Sequence, residues 1–216
     1  MDDRPLAPRG LRQSESGNVV SLHRPRCQQL FMLYAGRAGF PGVPLLRLLR
    51  ETALGDRNLT LLKDPHDQSY LHGIGEDAPD FESLIAWHHQ HLRERPHVSE
   101  VYGMGNSAGA MGAMMFGAAL CAREVWAFSP RPARFDNFDG ALEQTIELVS
   151  RSSPDSAYHV HYCPEDEVDR EVAERLATCS TVTLHPWAME ANHHRLINHL
   201  IDRGELRKLF PAFSGY

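Results

Sequence analysis

From Gln28 onward, short apolar runs alternate with longer segments whose apolar residues recur every three or four positions. Leu30-Phe31-Met32-Leu33-Tyr34 is the first such run, ending in Ala35-Gly36. An unbroken apolar run of this length reads as a strand covered on both faces. Pro44 to Leu54 follows, with Leu45, Leu48 and Leu49 at helical spacing and Gly55 as a stop. Leu59-Thr60-Leu61-Leu62 reads as the second strand. Phe81, Leu84, Ile85, His88 and Leu92 then mark one face of a helix, with Asp77 as its N-cap and Pro96 ending it. Val98 to Tyr102 is the third strand and enters a glycine-rich turn, after which Ala108 to Leu120 is a helix made mostly of Ala, Gly and Met. Val125 to Phe128, Tyr158 to Tyr162 and Val182 to Leu184 are the fourth to sixth strands, and helices are expected over 139–150, 168–178 and 194–202.

This alternation predicts an α/β protein, a three-layer αβα sandwich around a mostly parallel sheet of about six strands. The expected domain spans 27–216. Residues 1–26, rich in Arg, Ser, Gly and Pro, read as a mobile N-terminal arm, in which Gly17 to Leu22 is the segment able to add an edge strand. In parallel sheets of this kind, reactive groups lie beyond the carboxyl ends of the strands. The residues just after each strand are therefore the place to look for chemistry.

Composition narrows the function classes. A chain of 216 residues with 42% hydrophobic residues can bury a core of its own. No run approaches the roughly 18 apolar residues of a membrane helix, and Met1-Asp2-Asp3-Arg4 opens no secretory signal. The 28 acidic and 22 basic side chains give a net charge of −6, which argues against nucleic acid as a partner. The four cysteines, Cys27, Cys121, Cys163 and Cys179, form no C-x-x-C pair and read as reduced thiols of a cytoplasmic protein.

The turn after the third strand carries the strongest motif. Gly105-Asn106-Ser107-Ala108-Gly109 fits G-x-S-x-G, the elbow that projects a serine hydroxyl between a strand and a helix. At the helix N-terminus, backbone amides and the helix dipole favour a developing oxyanion. Gly103-x-Gly105-x-x-Ala108 also fits a dinucleotide-binding turn, but that motif wants an acidic residue ending the next strand. The next strand ends Phe128-Ser129-Pro130, so the elbow is the better reading and no cofactor is expected.

A serine needs a base, and in this arrangement an acid and then a histidine follow it in the chain. The fifth strand runs into Glu165-Asp166-Glu167-Val168-Asp169; Asp166 is the favoured acid and Asp169 the alternative, unless it caps the following helix. His194, at the start of the last helix, is the favoured base, with His193 second and His185 third. Ala108 and the loop after the first strand are expected to donate the oxyanion amides, the latter from Arg37 or Gly36. Gly36, Tyr70 and Trp187 are candidates to line the substrate pocket, Trp187 together with Met189. Asp64 is placed to orient the first-strand loop. His159, His161 and Cys163 share one face of the fifth strand, but a strand buried under helices is a poor zinc site, and no metal is expected. His88 and His91 read as a partly exposed helical face.

With these residues in place, the chain resembles the α/β-hydrolase superfamily in a small form without a large lid domain. The resemblance covers roughly residues 28–203 and rests on four segments. They are Leu33-Tyr34-Ala35-Gly36, Lys63-Asp64-Pro65 with Tyr70 and Gly73, the elbow itself, and Phe128-Ser129-Pro130. It implies an esterase- or thioesterase-like serine hydrolase acting on a small-molecule or carrier-bound acyl substrate. Acyl transfer or cyclisation by the same site, and a non-catalytic binding protein, are the alternatives. Ala110 departs from the pattern, standing where such proteins often carry a second glycine.

Overall fold

The computed structural model of the chain describes residues 10–133, 138–190 and 194–210. Among these residues eight strands form one sheet: β1 (Leu11–Gln13), β2 (Val19–Leu22), β3 (Gln29–Tyr34), β4 (Asn58–Leu62), β5 (Glu100–Asn106), β6 (Glu124–Phe128), β7 (Ala157–Tyr162) and β8 (Val182–Pro186). Their order is β1-β2-β4-β3-β5-β6-β7-β8; β2 pairs antiparallel with β1 and β4, and every other pairing is parallel. The helices are α1 (Leu45–Glu51), α2 (Phe81–Arg93), α3 (Ala108–Ala119), α4 (Phe138–Ser150), α5 (Glu167–Leu176) and α6 (Leu196–Asp202). One sheet face packs on α2, α3, α4 and α5, and the other on α1 and α6. No described helix is long and apolar enough to cross a membrane.

The sheet has eight strands where about six were expected, and both extra strands lie in the segment read as an arm. Val19 and Leu22 are buried, and β2 is zipped along β4 from Val19↔Leu62 to Leu22↔Leu59. Side chains also fasten this hairpin: Asn18 Nδ2 donates to the Ile74 carbonyl at 3.0 Å, and Ser14 Oγ and Ser16 Oγ both donate to Asp77. Asp77 is thus not the cap of α2. Asp80 is, accepting from Ser83 N at 2.7 Å while Ser83 Oγ accepts from Asp80 N at 2.9 Å, a capping box.

His88 and His91 are core residues rather than an exposed face. His88 Nδ1 donates to the Leu84 carbonyl at 2.6 Å, leaving Nε2 to accept from the Tyr34 hydroxyl at 2.8 Å. His91 Nε2 lies 2.7 Å from Thr60 Oγ1. Burial drives the His88 imidazole down to about 4, and burial with Arg95 and His88 drives His91 to about 3. Both rings are therefore neutral hydrogen-bonding parts of the core.

What positions the site is the close seating of α3 on the sheet. A Cβ on Gly105 would come within 2.1 Å of the Gly109 carbonyl oxygen, and one on Gly109 within 2.2 Å of the Tyr34 carbonyl oxygen. Only glycine at both positions lets the chain reverse at the end of β5 and lay the first turn of α3 against β3. α3 is buried along most of its length, as its small residues imply.

Candidate active site

Ser107 occupies the turn between β5 and α3 with φ 57° and ψ −126°, a conformation that costs a residue with a side chain on the order of 1–3 kcal/mol. Neighbouring strands hold it there. Its amide donates to the Phe128 carbonyl at 2.9 Å, and its carbonyl accepts from Ala110 N at 2.9 Å and Arg131 N at 3.4 Å. His194, just before α6, faces it across the sheet's carboxyl edge, with Nε2 2.9 Å from Ser107 Oγ. The tautomer protonated at Nδ1 leaves Nε2 free to accept the serine hydroxyl proton.

The two candidate carboxylates have exchanged their expected places. Asp169 lies one turn into α5, with its side chain fully buried, and its Oδ1 is 3.5 Å from His194 Nδ1. Asp166 is instead the N-cap of α5, accepting from Val168 N and Asp169 N at 3.1 Å each. The reason is the turn that precedes the helix: Asp166 N bonds to the Cys163 carbonyl, which makes residue 166 the half-in position and turns residue 169 back toward the sheet edge. Burial pushes the Asp166 carboxyl up, but the Asp169 amide and the Arg131 guanidinium outweigh it and hold the group below its ordinary range. Among the described residues, Asp169 Oδ2 and His194 Nδ1 are both buried with no hydrogen-bond partner. The Asp169 oxygen near Nδ1 is Oδ1, at 3.5 Å, a separation longer than a hydrogen bond.

Arg131, two residues beyond Ser129, joins both carboxylates. Its Nη2 donates to Asp166 Oδ1 and Asp169 Oδ1, each at 2.6 Å. Sequence reasoning passed over it, although it follows Phe128-Ser129-Pro130 at the carboxyl edge, where partners of the acidic loop are to be sought.

The amides come out unevenly. Gly36 N is taken by the Phe40 carbonyl at 3.1 Å, so Gly36 is not a free donor. Among the described residues no protein acceptor takes the Arg37 or Ala108 amide. Ala108 is the first residue of α3, where an amide has no partner within the helix. A Cβ on Gly36 would meet the Asn106 carbonyl oxygen at 2.9 Å, so this loop is pressed against the elbow.

A cleft of about 460 Å³ opens in front of Ser107 and His194. Gly36 lines it as expected; Phe40, Pro44 and Ile197 supply its apolar surface, and Arg37 and Arg195 its charge. Tyr70 and Trp187 are not part of it. Tyr70 is fully buried, with its hydroxyl on the Ala35 and Leu62 carbonyls at 2.9 and 2.8 Å, tying the ends of β3 and β4 together. Asp64 organises its own loop after β4, rather than the loop after β3, by accepting from the His66, Gln68 and Tyr70 amides. Trp187 Nε1 donates to His161 Nδ1 at 3.1 Å, and Met189 is buried beneath.

His185, the third candidate base, belongs to a stack on the same sheet face. Its ring lies 4.5 Å from that of His161, and its Nε2 is 3.1 Å from His159 Nδ1. Burial, His185 and His159 push His161 well below its ordinary range. Cys163 donates to Glu165 at 2.9 Å and takes no part in the stack. Among the described residues no three His, Cys, Asp or Glu side chains converge as metal ligands. His193 lies outside the described residues.

No family model and no curated protein matches the sequence. Solved structures do match the fold. Est1E from Butyrivibrio proteoclasticus superposes with a TM-score of 0.60 at 12% identity, covering 93% of this chain and 98% of its own. A lipase-esterase related protein from Clostridium acetobutylicum gives 0.55 at 13% identity, covering 94% and 99%. The capsule O-acetyltransferase of Neisseria meningitidis serogroup A gives 0.63 at 12% identity, covering 99% and 97%. The chain has the α/β-hydrolase fold.

Proposed function

We propose that this α/β-hydrolase-fold protein is a serine hydrolase that cleaves an ester or thioester of a small-molecule or carrier-bound acyl group. The observation that carries the reading is the 2.9 Å contact between His194 Nε2 and the hydroxyl of Ser107, a residue held at φ 57° in the strand-to-helix turn. Unfavourable backbone geometry is retained where neighbouring structure enforces it, and it concentrates at functional sites.

In this reading Ser107 Oγ attacks the carbonyl carbon while its proton passes to His194 Nε2. Asp169 faces Nδ1 and balances the imidazolium. The Ala108 and Arg37 amides receive the oxyanion. The tetrahedral adduct collapses, the alcohol or thiol leaves with the proton from His194, and a water deprotonated by His194 releases the acyl group from Ser107. A cleft of about 460 Å³ suits a small acyl group. The thiols of Cys163 and Cys179, buried and unpaired, are consistent with a cytoplasmic setting.

The same acyl-enzyme passes its acyl group to a hydroxyl when one replaces water, and one fold neighbour is a capsule O-acetyltransferase. Intact-mass analysis after treatment with a fluorophosphonate tests the common step. Wild type gains one adduct; Ser107→Ala gains none, and Asp169→Asn labels about 10³–10⁴-fold more slowly while Asp166→Asn still labels. An unlabelled, folded wild type refutes the hydrolase reading and favours a binding protein. With 4-nitrophenyl acetate as donor, product analysis with and without an added alcohol separates transfer from hydrolysis.

A further inference from the structure

The acyl-transfer steps above use neither Arg131 nor Asp166, yet these two side chains enclose the carboxylate that faces the base. Arg131 Nη2 stands 2.6 Å from Asp169 Oδ1, the same oxygen that lies 3.5 Å from His194 Nδ1, and 2.6 Å from Asp166 Oδ1. The Arg131 amide reaches the Ser107 carbonyl at 3.4 Å, so its loop is tied to the nucleophile's turn as well. Asp166 is itself anchored by the first amides of α5.

We propose that Arg131 and Asp166 are positioning residues that clamp Asp169 and set the pH range in which His194 serves as the base. The inference rests on the serine-hydrolase reading. Arg131 is a cation at every accessible pH, and its guanidinium lies against Asp169 Oδ1. It also opposes protonation of the nearby imidazole, and Asp166 favours it. Two carboxylates against one guanidinium leave one net negative charge behind a neutral His194, and the imidazolium formed during attack balances it. Asp166 thus offsets the penalty that Arg131 alone imposes on the base.

The other charged groups around His194 lie elsewhere and are unchanged by the test. Arg37 and Arg195 line the cleft, and Arg37 is paired with Asp67 at 3.4 Å. Glu165 accepts from Cys163 Sγ at 2.9 Å and Met189 N at 3.5 Å.

The experiment is the rate of Ser107 labelling by a fluorophosphonate between about pH 5 and about pH 10, where the acid limb reports loss of the free base. Removing the cation in Arg131→Gln moves the acid limb up by about one pH unit, and Asp166→Asn moves it down by a similar amount. The double variant and Arg131→Lys, which restore the net charge or keep the cation, return it close to wild type. A purely structural role lowers labelling evenly at every pH and leaves the limbs in place. That result overturns the inference and spares the hydrolase reading, as do shifts of equal sign in the two single variants. A wild type that labels at no pH overturns both. If Arg131→Gln does not fold, the downward shift of Asp166→Asn and the unshifted limb of Arg131→Lys decide.

Discussion

Acidification tests the buried histidines of α2. In the fold His88 and His91 stay neutral down to about 4 and about 3, against an ordinary midpoint of 6.5. Because both midpoints are lowered, the unfolded chain binds more protons between about pH 6.5 and about pH 4, and stability falls as pH falls through that window. At about pH 5, protonation favours the unfolded state by ~2 kcal/mol per histidine, against ~0.2 kcal/mol at about pH 7. The pair therefore removes ~4 kcal/mol, a large share of the ~5–15 kcal/mol that holds a typical domain. With an m-value of ~2 kcal/mol per molar, the urea midpoint drops by ~2 M from this pair alone. Other groups titrate in the same range, so the informative quantity is a difference. His88→Gln/His91→Gln keeps hydrogen-bonding amides beside Tyr34 and Thr60 but removes both titrating rings. Urea curves at the two pH values are expected to show that the double variant loses ~4 kcal/mol less than wild type on acidification. Equal losses in the two proteins refute the assignment of these rings as neutral core groups.

Two further outcomes follow from the elbow. Ser107→Gly relieves the backbone at φ 57° and is expected to raise unfolding stability by about 1 kcal/mol while abolishing fluorophosphonate labelling; a destabilised variant refutes the strain. Gly109→Ala drives a methyl to 2.2 Å from the Tyr34 carbonyl oxygen and is expected to cost about 2 kcal/mol or more by denaturation; a loss below about 0.5 kcal/mol refutes the tight seating of α3.

Much of the layer structure is legible without coordinates, because local rules decide it. A strand buried on both faces must be an apolar run, as Leu30 to Tyr34 is, and a helix lying on a sheet must repeat its apolar residues at three and four. The elbow is legible for the same reason. Gly105 and Gly109 are required by contacts within four residues of Ser107 and by the adjoining strand, so the constraint appears as a short motif. The N-terminal hairpin was harder to see. Its strands have only three and four residues, and their stability comes from pairing with β4 and from Asp77, some sixty positions away.

Which side chains meet at the site is a tertiary matter. Asp166 and Asp169 differ by less than one helical turn, and only the Cys163 turn settles which one caps α5 and which one faces His194. Tyr70 and Trp187 stand near the carboxyl edge in sequence, but the ends of β3 and β4 draw the Tyr70 hydroxyl inward and His161 holds the Trp187 indole. The cleft surface comes instead from Phe40, Pro44 and Ile197, two segments about 150 residues apart that share no local pattern. Periodicity and turn chemistry, which act over a few residues, determined the strands, the helices and the turn at Ser107. The carboxylate that faces His194, the contact of Arg131 with two carboxylates and the walls of the cleft depend on distances between loops that only the closed sheet brings to one edge.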